Sequence, residues 1–182
     1  MSQPGLGRLG AILAGGESSR FGSDKALAQI DGTTMLERAV ALLTACCDAV
    51  IVVGRDTASV RTIADWPRGG MGPLGGIAAA LRFAEDEGFA EVLTIGVDCP
   101  DLPENLPALL SPAPAVLASQ PVIGLWPVSA RTAVETILTG TGRHSLRSLA
   151  EATGARMVRT AEAPANINTP ADLNAWEQRH GL

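Results

Sequence analysis

The chain has little of what many enzyme and scaffold classes depend on. Among its 182 residues are three cysteines and two histidines. Cys46 and Cys47 are neighbours near an expected helix end and Cys99 lies far away, so no metal-ligand spacing exists. An odd cysteine count without a framework excludes a disulfide scaffold and fits a reducing cytoplasm. His144 and His180 stand in neither a nucleophile nor a metal pattern, and no Ser-His or Cys-His device is visible. No apolar run is long enough to cross a membrane, and the opening Met-Ser-Gln-Pro-Gly carries no signal-peptide pattern. Positive charge is also short. With 14 Lys and Arg against 19 Asp and Glu, the net charge is −5, which excludes a general electrostatic affinity for nucleic acid. Such a protein binds a polyanion by gathering its cations locally or recruiting a metal. There is no repeat, low-complexity segment or linker. The 46% hydrophobic content suits one full core, read as a domain over residues 8–182 behind a flexible tail, residues 1–7.

What the chain does have is the stretch from Leu13 to Lys25. The apolar run Leu9–Leu13 reads as a buried strand, and it stops abruptly in Ala14, Gly15, Gly16, Glu17, Ser18 and Ser19. Gly22 follows, with Arg20 and Lys25 as isolated cations. A loop so poor in side chains lets successive N–H groups converge on a phosphate. Arg20 would add a fork of donors and Lys25 a point charge. The reading is a triphosphate cradle; the alternative is a plain strand-to-helix turn with solvated cations. It is neither a P-loop, because Lys25 is followed by Ala26, nor a dinucleotide fingerprint, because Gly15 and Gly16 are adjacent.

Strand and helix patterns alternate along the rest of the chain. Asp31-Gly32 marks a turn, and Thr34 with Glu37 forms a capping box for a helix whose face carries Leu36, Val40, Leu43 and Cys47. Strands are expected at Ala49–Val53, Arg61–Ala64, Val92–Val97, Ala115–Ala118 and Val122–Trp126, with an edge strand at Ala155–Arg159. The glycine- and proline-rich stretch 66–76 is expected to be irregular up to a helix from about Leu74 to Glu87, closed by Gly88. Asp101 is expected to cap a short helix, with Glu104 at its third position. Helices are expected at Ser129–Leu138 and Ser145–Thr153, and a last one after Thr169-Pro170. The fold class is therefore α/β: a single-domain, Rossmann-like, mostly parallel sheet with helices on both faces. Ligands of such sheets bind beyond the C-terminal strand ends. The loop after Leu13, the Val53-Gly54-Arg55 turn, Asp65 and Asp98 all fall on that edge.

A carboxylate at the end of the run Leu93–Val97 is partly desolvated unless a cation meets it. Asp98 therefore reads as a Mg²⁺ ligand, or else as a turn cap or salt-bridge partner. Asp65 reads either as a contact to whatever binds at this edge or as a solvated charge before Trp66. Arg143 and Arg147 either meet an acceptor phosphate or lie on a solvated helix face.

Residues 13–16, 20–22 and 24–25 resemble the Leu-Ala-Gly-Gly…Arg-x-Gly…Asp-Lys signature of the molybdenum cofactor guanylyltransferases, within the nucleotidyltransferases that activate sugars and cofactors. The resemblance covers nearly all of the chain after residue 8. It implies the nucleotidyltransferase fold and transfer of GMP from GTP to molybdenum-loaded molybdopterin, with release of pyrophosphate. It implies Lys25, Asp98 and Arg20 as catalytic residues and Mg²⁺, held by Asp98, as cofactor. It places Leu13, Ala14, Gly15, Gly16, Lys25, Gly54, Asp65, Gly72, Gly76 and Asp98 on the nucleotide. The Gly72–Gly76 segment would lie against base and ribose. Asn166-Ile167-Asn168-Thr169-Pro170 resembles the family's Asn-x-Asn-Thr-Pro segment, so Asn166 and Asn168 would orient the acceptor or a metal-bound water; the alternative is helix capping, which Thr169 already supplies. Gly124-Leu125-Trp126-Pro127 also fits the family. Two departures stand out: Gly54-Arg55 lies where an Asn is usual, and Gln120-Pro121 where His-Pro is frequent. The first leaves CTP, or a sugar-phosphate acceptor, as a rival substrate; a non-catalytic GTP-binding delivery module is the rival of another class. Expected partners are the substrates GTP and molybdenum-molybdopterin and, transiently, cofactor-insertion proteins and molybdoenzymes. No nucleic acid or membrane is expected, and the protein is expected to be a cytoplasmic monomer or weak oligomer.

Overall fold

The computed structural model describes residues 6–15 and 24–181. Period-2 alternation in the first strand sets the architecture. In β1 (Leu6–Leu13), Leu9 and Ala11 face one side of the sheet, while Gly10 and Ile12 face the other. Because both faces are buried, the strand reads as a continuous apolar run. It starts three residues before its predicted start, pairing Leu6 with Phe89, so the boundary drawn after residue 7 falls inside β1.

A two-residue hairpin follows, β2 (Gln29–Ile30) and β3 (Thr33–Thr34), turning through Asp31 and Gly32, both at positive φ. Only its turn was legible in the sequence. Helix α1 (Met35–Thr44) carries the expected Thr34–Glu37 capping box. It buries Met35, Leu36, Ala39 and Leu43, with Val40 only half-buried and Cys47 beyond the helix end. β4 (Ala49–Val53) and β5 (Arg61–Ile63) come next. Then follow α2 (Gly72–Glu87) and β6 (Phe89–Gly96). The remaining elements are α3 (Leu106–Leu110), β7 (Ala115–Leu117), β8 (Gly124–Pro127), α4 (Arg131–Thr139), α5 (Leu146–Thr153), β9 (Arg156–Val158) and α6 (Pro170–His180).

The strands form one seven-stranded sheet in the order β5-β4-β1-β6-β8-β7-β9. β8 alone runs against its neighbours, so the sheet is mostly parallel, as expected. One core lies between the sheet and α1, α3 and α6; the other lies beneath α2, α4 and α5. Each fully buried Leu or Ile of these layers contributes roughly 1.5–3 kcal/mol. Thr94 is the buried polar residue where β6 meets β8. It donates to the Val122 carbonyl at 2.8 Å and accepts the Trp126 indole N–H at 3.1 Å, so neither polar group is orphaned. Cys46 and Cys47 are half-buried against the α1 core and Cys99 is buried; all three are free thiols.

Two local expectations change. Helix α2 begins at Gly72 rather than Leu74, so the predicted glycine turn is the first turn of a helix. Tertiary packing overrides the low helix propensity of glycine here. A Cβ on Gly75 would lie 2.7 Å from the Met71 Cβ, and one on Gly76 would lie 2.9 Å from the Leu13 side chain. Asp101 caps no helix. Its carboxylate accepts from the Ala165 N–H at 2.9 Å and the Trp176 indole at 3.3 Å.

Candidate active site

The strand order sets where a ligand enters. The chain moves outward from β1 through β4 to β5, then returns to place β6 on the other side of β1. The crevice of such a sheet opens where this direction reverses, beyond the C-terminal ends of β1 and β6. A cleft of about 300 Å³ lies there, lined by Leu13, Ala14 and Gly15 from the end of β1, and by Asp98 after β6. Lys25, Asp65, Gly72 and Gly76 also line it.

Lys25 opens a short 3-10 turn, Lys25–Leu27, capped by Asp24, whose carboxylate accepts the Ala26 N–H at 3.1 Å. The Lys25 ammonium donates to Asp98 Oδ2 at 3.2 Å and to Asn168 Oδ1 at 3.4 Å. Three residues from separate parts of the chain therefore meet at one charge. Gly96, the last residue of β6, has no Cβ, and one there would collide with Asp98 Oδ1. The Asp98 carboxylate folds back over the strand end into that space.

The segment carrying Asn166 and Asn168 is strapped to this edge. The Ile167 N–H donates to the Asp98 carbonyl at 2.9 Å, and Ile167 is buried between the two exposed amides. Gln120, at the position where the resembled family has histidine, donates to the Pro164 carbonyl at 2.6 Å and accepts the Cys99 thiol at 2.9 Å. Burial pushes the Cys99 thiol well above its ordinary value, so it stays neutral beside Asp98.

Asp65 follows β5 and is half-buried. Its carboxylate has no hydrogen bond or ion pair among the described residues, and burial raises its pKa above the ordinary carboxylate value. Three glycines make room for it. Cβ atoms on Gly15, Gly54 and Gly76 would stand 3.2, 3.5 and 3.5 Å from its oxygens. Gly54 has φ +83°, and its Cβ would be 2.5 Å from the Gly15 Cα. Gly54→Ala is therefore expected to cost more than the roughly 1–2 kcal/mol of a left-handed backbone, since the contact with Gly15 must also open. Urea denaturation measures this, and a loss below 1 kcal/mol would show that the two loops are not in contact.

The N-terminus of α2 also points at the cleft through Gly72 and Pro73. No side chain caps that end, so the positive end of a 16-residue helix faces whatever binds.

The structure therefore gathers Leu13, Ala14, Gly15, Lys25, Asp65, Gly72, Gly76 and Asp98 around one cleft. Gly54 packs beneath it, and Asn168 touches Lys25. Gly16 and Arg20 lie outside the described residues. Asn166 makes no hydrogen bond among the described residues, so of the two amides only Asn168 meets the charged group. Gly75 and Gly76 leave room for Met71, Leu13 and Asp65, which pack against them; at Gly72 the space is open and the requirement is its φ of +65°. Arg147 pairs with Glu151 on an exposed face and His180 stacks on Trp176. What the sequence reading missed is the pairing of Arg55 with Asp24: its guanidinium forks onto the Asp24 carboxylate at 2.8 and 2.6 Å and holds that carboxyl below its ordinary range.

Residues 10–166 match the family model of the MobA-like NTP transferase domain. The chain is 38% identical to a molybdenum cofactor guanylyltransferase of Acidiphilium cryptum, over 97% of this chain and 98% of that protein. It is 34% identical to a molybdenum cofactor guanylyltransferase of Rhizobium leguminosarum, over 98% and 97% of the two chains. The crystal structure of molybdopterin-guanine dinucleotide biosynthesis protein A from Archaeoglobus fulgidus superposes with a TM-score of 0.77 at 20% identity, covering 95% of this chain and 98% of that one. At that identity the likeness is one of fold.

Proposed function

The chain belongs to the MobA-like NTP transferase family, and from that premise we propose that it transfers GMP from GTP to the terminal phosphate of molybdenum-loaded molybdopterin. The products are molybdopterin guanine dinucleotide and pyrophosphate. The observation that carries this reading is the meeting of Lys25, Asp98 and Asn168 at the mouth of the β1–β6 crevice. Relatives that share about a third of the sequence over nearly the whole chain carry the name of that activity.

The chemistry needs little from the protein beyond position and charge. An oxygen of the acceptor phosphate monoester attacks the α-phosphorus of GTP. The bond from that phosphorus to the α–β bridging oxygen breaks, and the electron pair leaves with pyrophosphate. The monoester is a nucleophile at neutral pH, so no Ser-His or Cys-His pair is required. Lys25, with Arg20 from the same loop, neutralises the departing pyrophosphate. Gly15, Gly72 and the N-terminus of α2 offer backbone to the nucleotide, and Asp65 accepts the two donors of guanine. Asn168, with Asn166 on the same segment, orients the acceptor.

We propose Mg²⁺ as the cofactor and Asp98 as its ligand. Among the described residues no group of three or more Asp, Glu, His or Cys gathers to hold a metal. Asp98 brings one carboxylate to the cleft, which suits Mg²⁺, an ion that takes one or two carboxylates and keeps water and substrate phosphate in its remaining positions. Bound there, the ion would offset charge on the α-phosphate. A cytoplasmic reaction and transient docking to cofactor-insertion proteins and molybdoenzymes belong to the same proposal; among the described residues no helix is long and apolar enough to cross a membrane.

A melting panel with GTP, CTP, ATP and UTP in Mg²⁺ tests the nucleotide, and pyrophosphate release with molybdenum-loaded molybdopterin tests the transfer. GTP at 100 times its Kd is expected to stabilise the protein by about 2.7 kcal/mol, with the other nucleotides well behind. Stabilisation by CTP instead would assign a sister transferase. Binding of GTP without pyrophosphate release would assign a delivery module.

A further inference from the structure

Arg55 belongs to no part of the reaction described above, yet it makes one of the most complete ion pairs among the described residues. It follows Gly54 at the end of β4, and its side chain is only 16% exposed. Nη1 donates to Asp24 Oδ1 at 2.8 Å and Nη2 to Asp24 Oδ2 at 2.6 Å, the parallel geometry of a fork on a carboxylate. Its Nε is buried without a partner among the described residues, so burial of this side chain is not offset at every donor. Arg55 is also absent from the lining of the cleft, whereas Asp24 is part of it. The charge of Arg55 is spent on Asp24.

Asp24 immediately precedes Lys25 and caps the turn that aims it, through Ala26. An unneutralised carboxylate next to a phosphate-binding lysine would repel a polyanion and compete for the ammonium. The same β4 turn holds the other end of the glycine-rich loop, because Gly54 lies against Gly15 and the Ala14 N–H donates to the Val53 carbonyl at 3.0 Å. Both ends of the 16–23 segment are thus tied to residues 53–55.

We propose that Arg55 is a positioning residue for GMP transfer: it neutralises Asp24 and fixes the downstream end of the phosphate loop, so that Lys25 meets the triphosphate. This rests on the nucleotide reading above. It assigns to the Gly54-Arg55 turn a task other than touching the base.

The test uses the full chain with Arg55→Ala, Arg55→Lys, Asp24→Asn and the Asp24→Asn/Arg55→Ala double variant. Thermal melting, GTP binding and the kcat and KM of pyrophosphate release are measured for each. Arg55→Ala is expected to lower kcat/KM for GTP at least about tenfold, the scale of losing one charge-assisted pair. Asp24→Asn should act in the same direction, the double variant should be no worse than Arg55→Ala, and Arg55→Lys should recover part of the loss. If Asp24→Asn left GTP affinity intact or tightened it while Arg55→Ala weakened it, Arg55 would be a direct phosphate ligand and the clamp would be wrong. If the variants melted lower yet kept wild-type kcat and KM well below their melting points, the pair would be structural only, and the proposal would again fall. Wild-type protein that neither bound GTP nor released pyrophosphate would instead remove the nucleotide reading, and this proposal with it.

Discussion

Lys25→Ala and Asp98→Ala are each expected to lower pyrophosphate release by at least about 100-fold, the effect of deleting one preorganised charge contact in a transferase site. The two side chains pair with each other at 3.2 Å, each about one fifth exposed. In the proposed reaction both charges have other work once GTP enters. There Lys25 would face the departing phosphates and Asp98 the proposed ion. Both side chains lie only partly buried in an open cleft, so the stability cost of removing either should stay near 1 kcal/mol, or about 2–4 °C of melting temperature. A large kinetic loss with a small stability loss is the expected signature. Asp98→Asn sharpens it, since shape is kept and charge is lost. Added Mg²⁺ should raise the GTP-dependent melting shift of the wild type and not that of Asp98→Asn. Within-tenfold turnover by either alanine variant would remove these residues from the chemistry. Combining the two should cost far less than the product of the single losses, because both serve one charge arrangement.

Features of this fold that depend on neighbours in sequence were legible before the structure. The Thr34–Glu37 box, the Thr169 cap and the left-handed Gly88 all satisfy backbone groups within four residues, so the local sequence discloses them. The edge to which Leu13, Asp65 and Asp98 converge was legible too, because parallel strands bring every strand end to the same side. What escaped depends on partners far away along the chain. Gly75 and Gly76 look like a turn by propensity, and only the approach of Met71, Leu13 and Asp65 shows why a helix tolerates them. Asp101 fits a local capping rule, but its acceptor oxygens are taken by Ala165 and Trp176, 64 and 75 residues on. Arg55 reads as part of the ligand edge, and only the placement of Asp24, 31 residues upstream, shows the ion pair it makes.

Asp65→Asn is expected to make the protein more stable and worse at its task. The carboxylate is half-buried, has no hydrogen-bond partner among the described residues, and sits in a space cleared by Gly15, Gly54 and Gly76. Burial raises its folded-state pKa above the unfolded value. The folded state therefore holds the proton more tightly, and the stability linked to this group falls as pH rises from the unfolded pKa through the folded one, then stays level. A neutral amide escapes that fall. The melting temperature of Asp65→Asn should thus gain on the wild type as pH climbs through this acid window and keep the advantage at neutral pH. GTP binding should move the opposite way. Guanine offers a ring N–H and an amino group side by side, and an ionised carboxylate accepts both. An amide presents one acceptor and one donor, so one guanine donor meets another. The expected loss of GTP affinity is about 10- to 100-fold, with the wild-type affinity rising with pH as the carboxylate ionises. Calorimetric titration with GTP at several pH values, beside melting curves without nucleotide, reads both effects on the same two proteins. A variant that bound GTP as tightly as the wild type, or that melted lower at neutral pH, would mean that this carboxylate is held for the fold and not for the base.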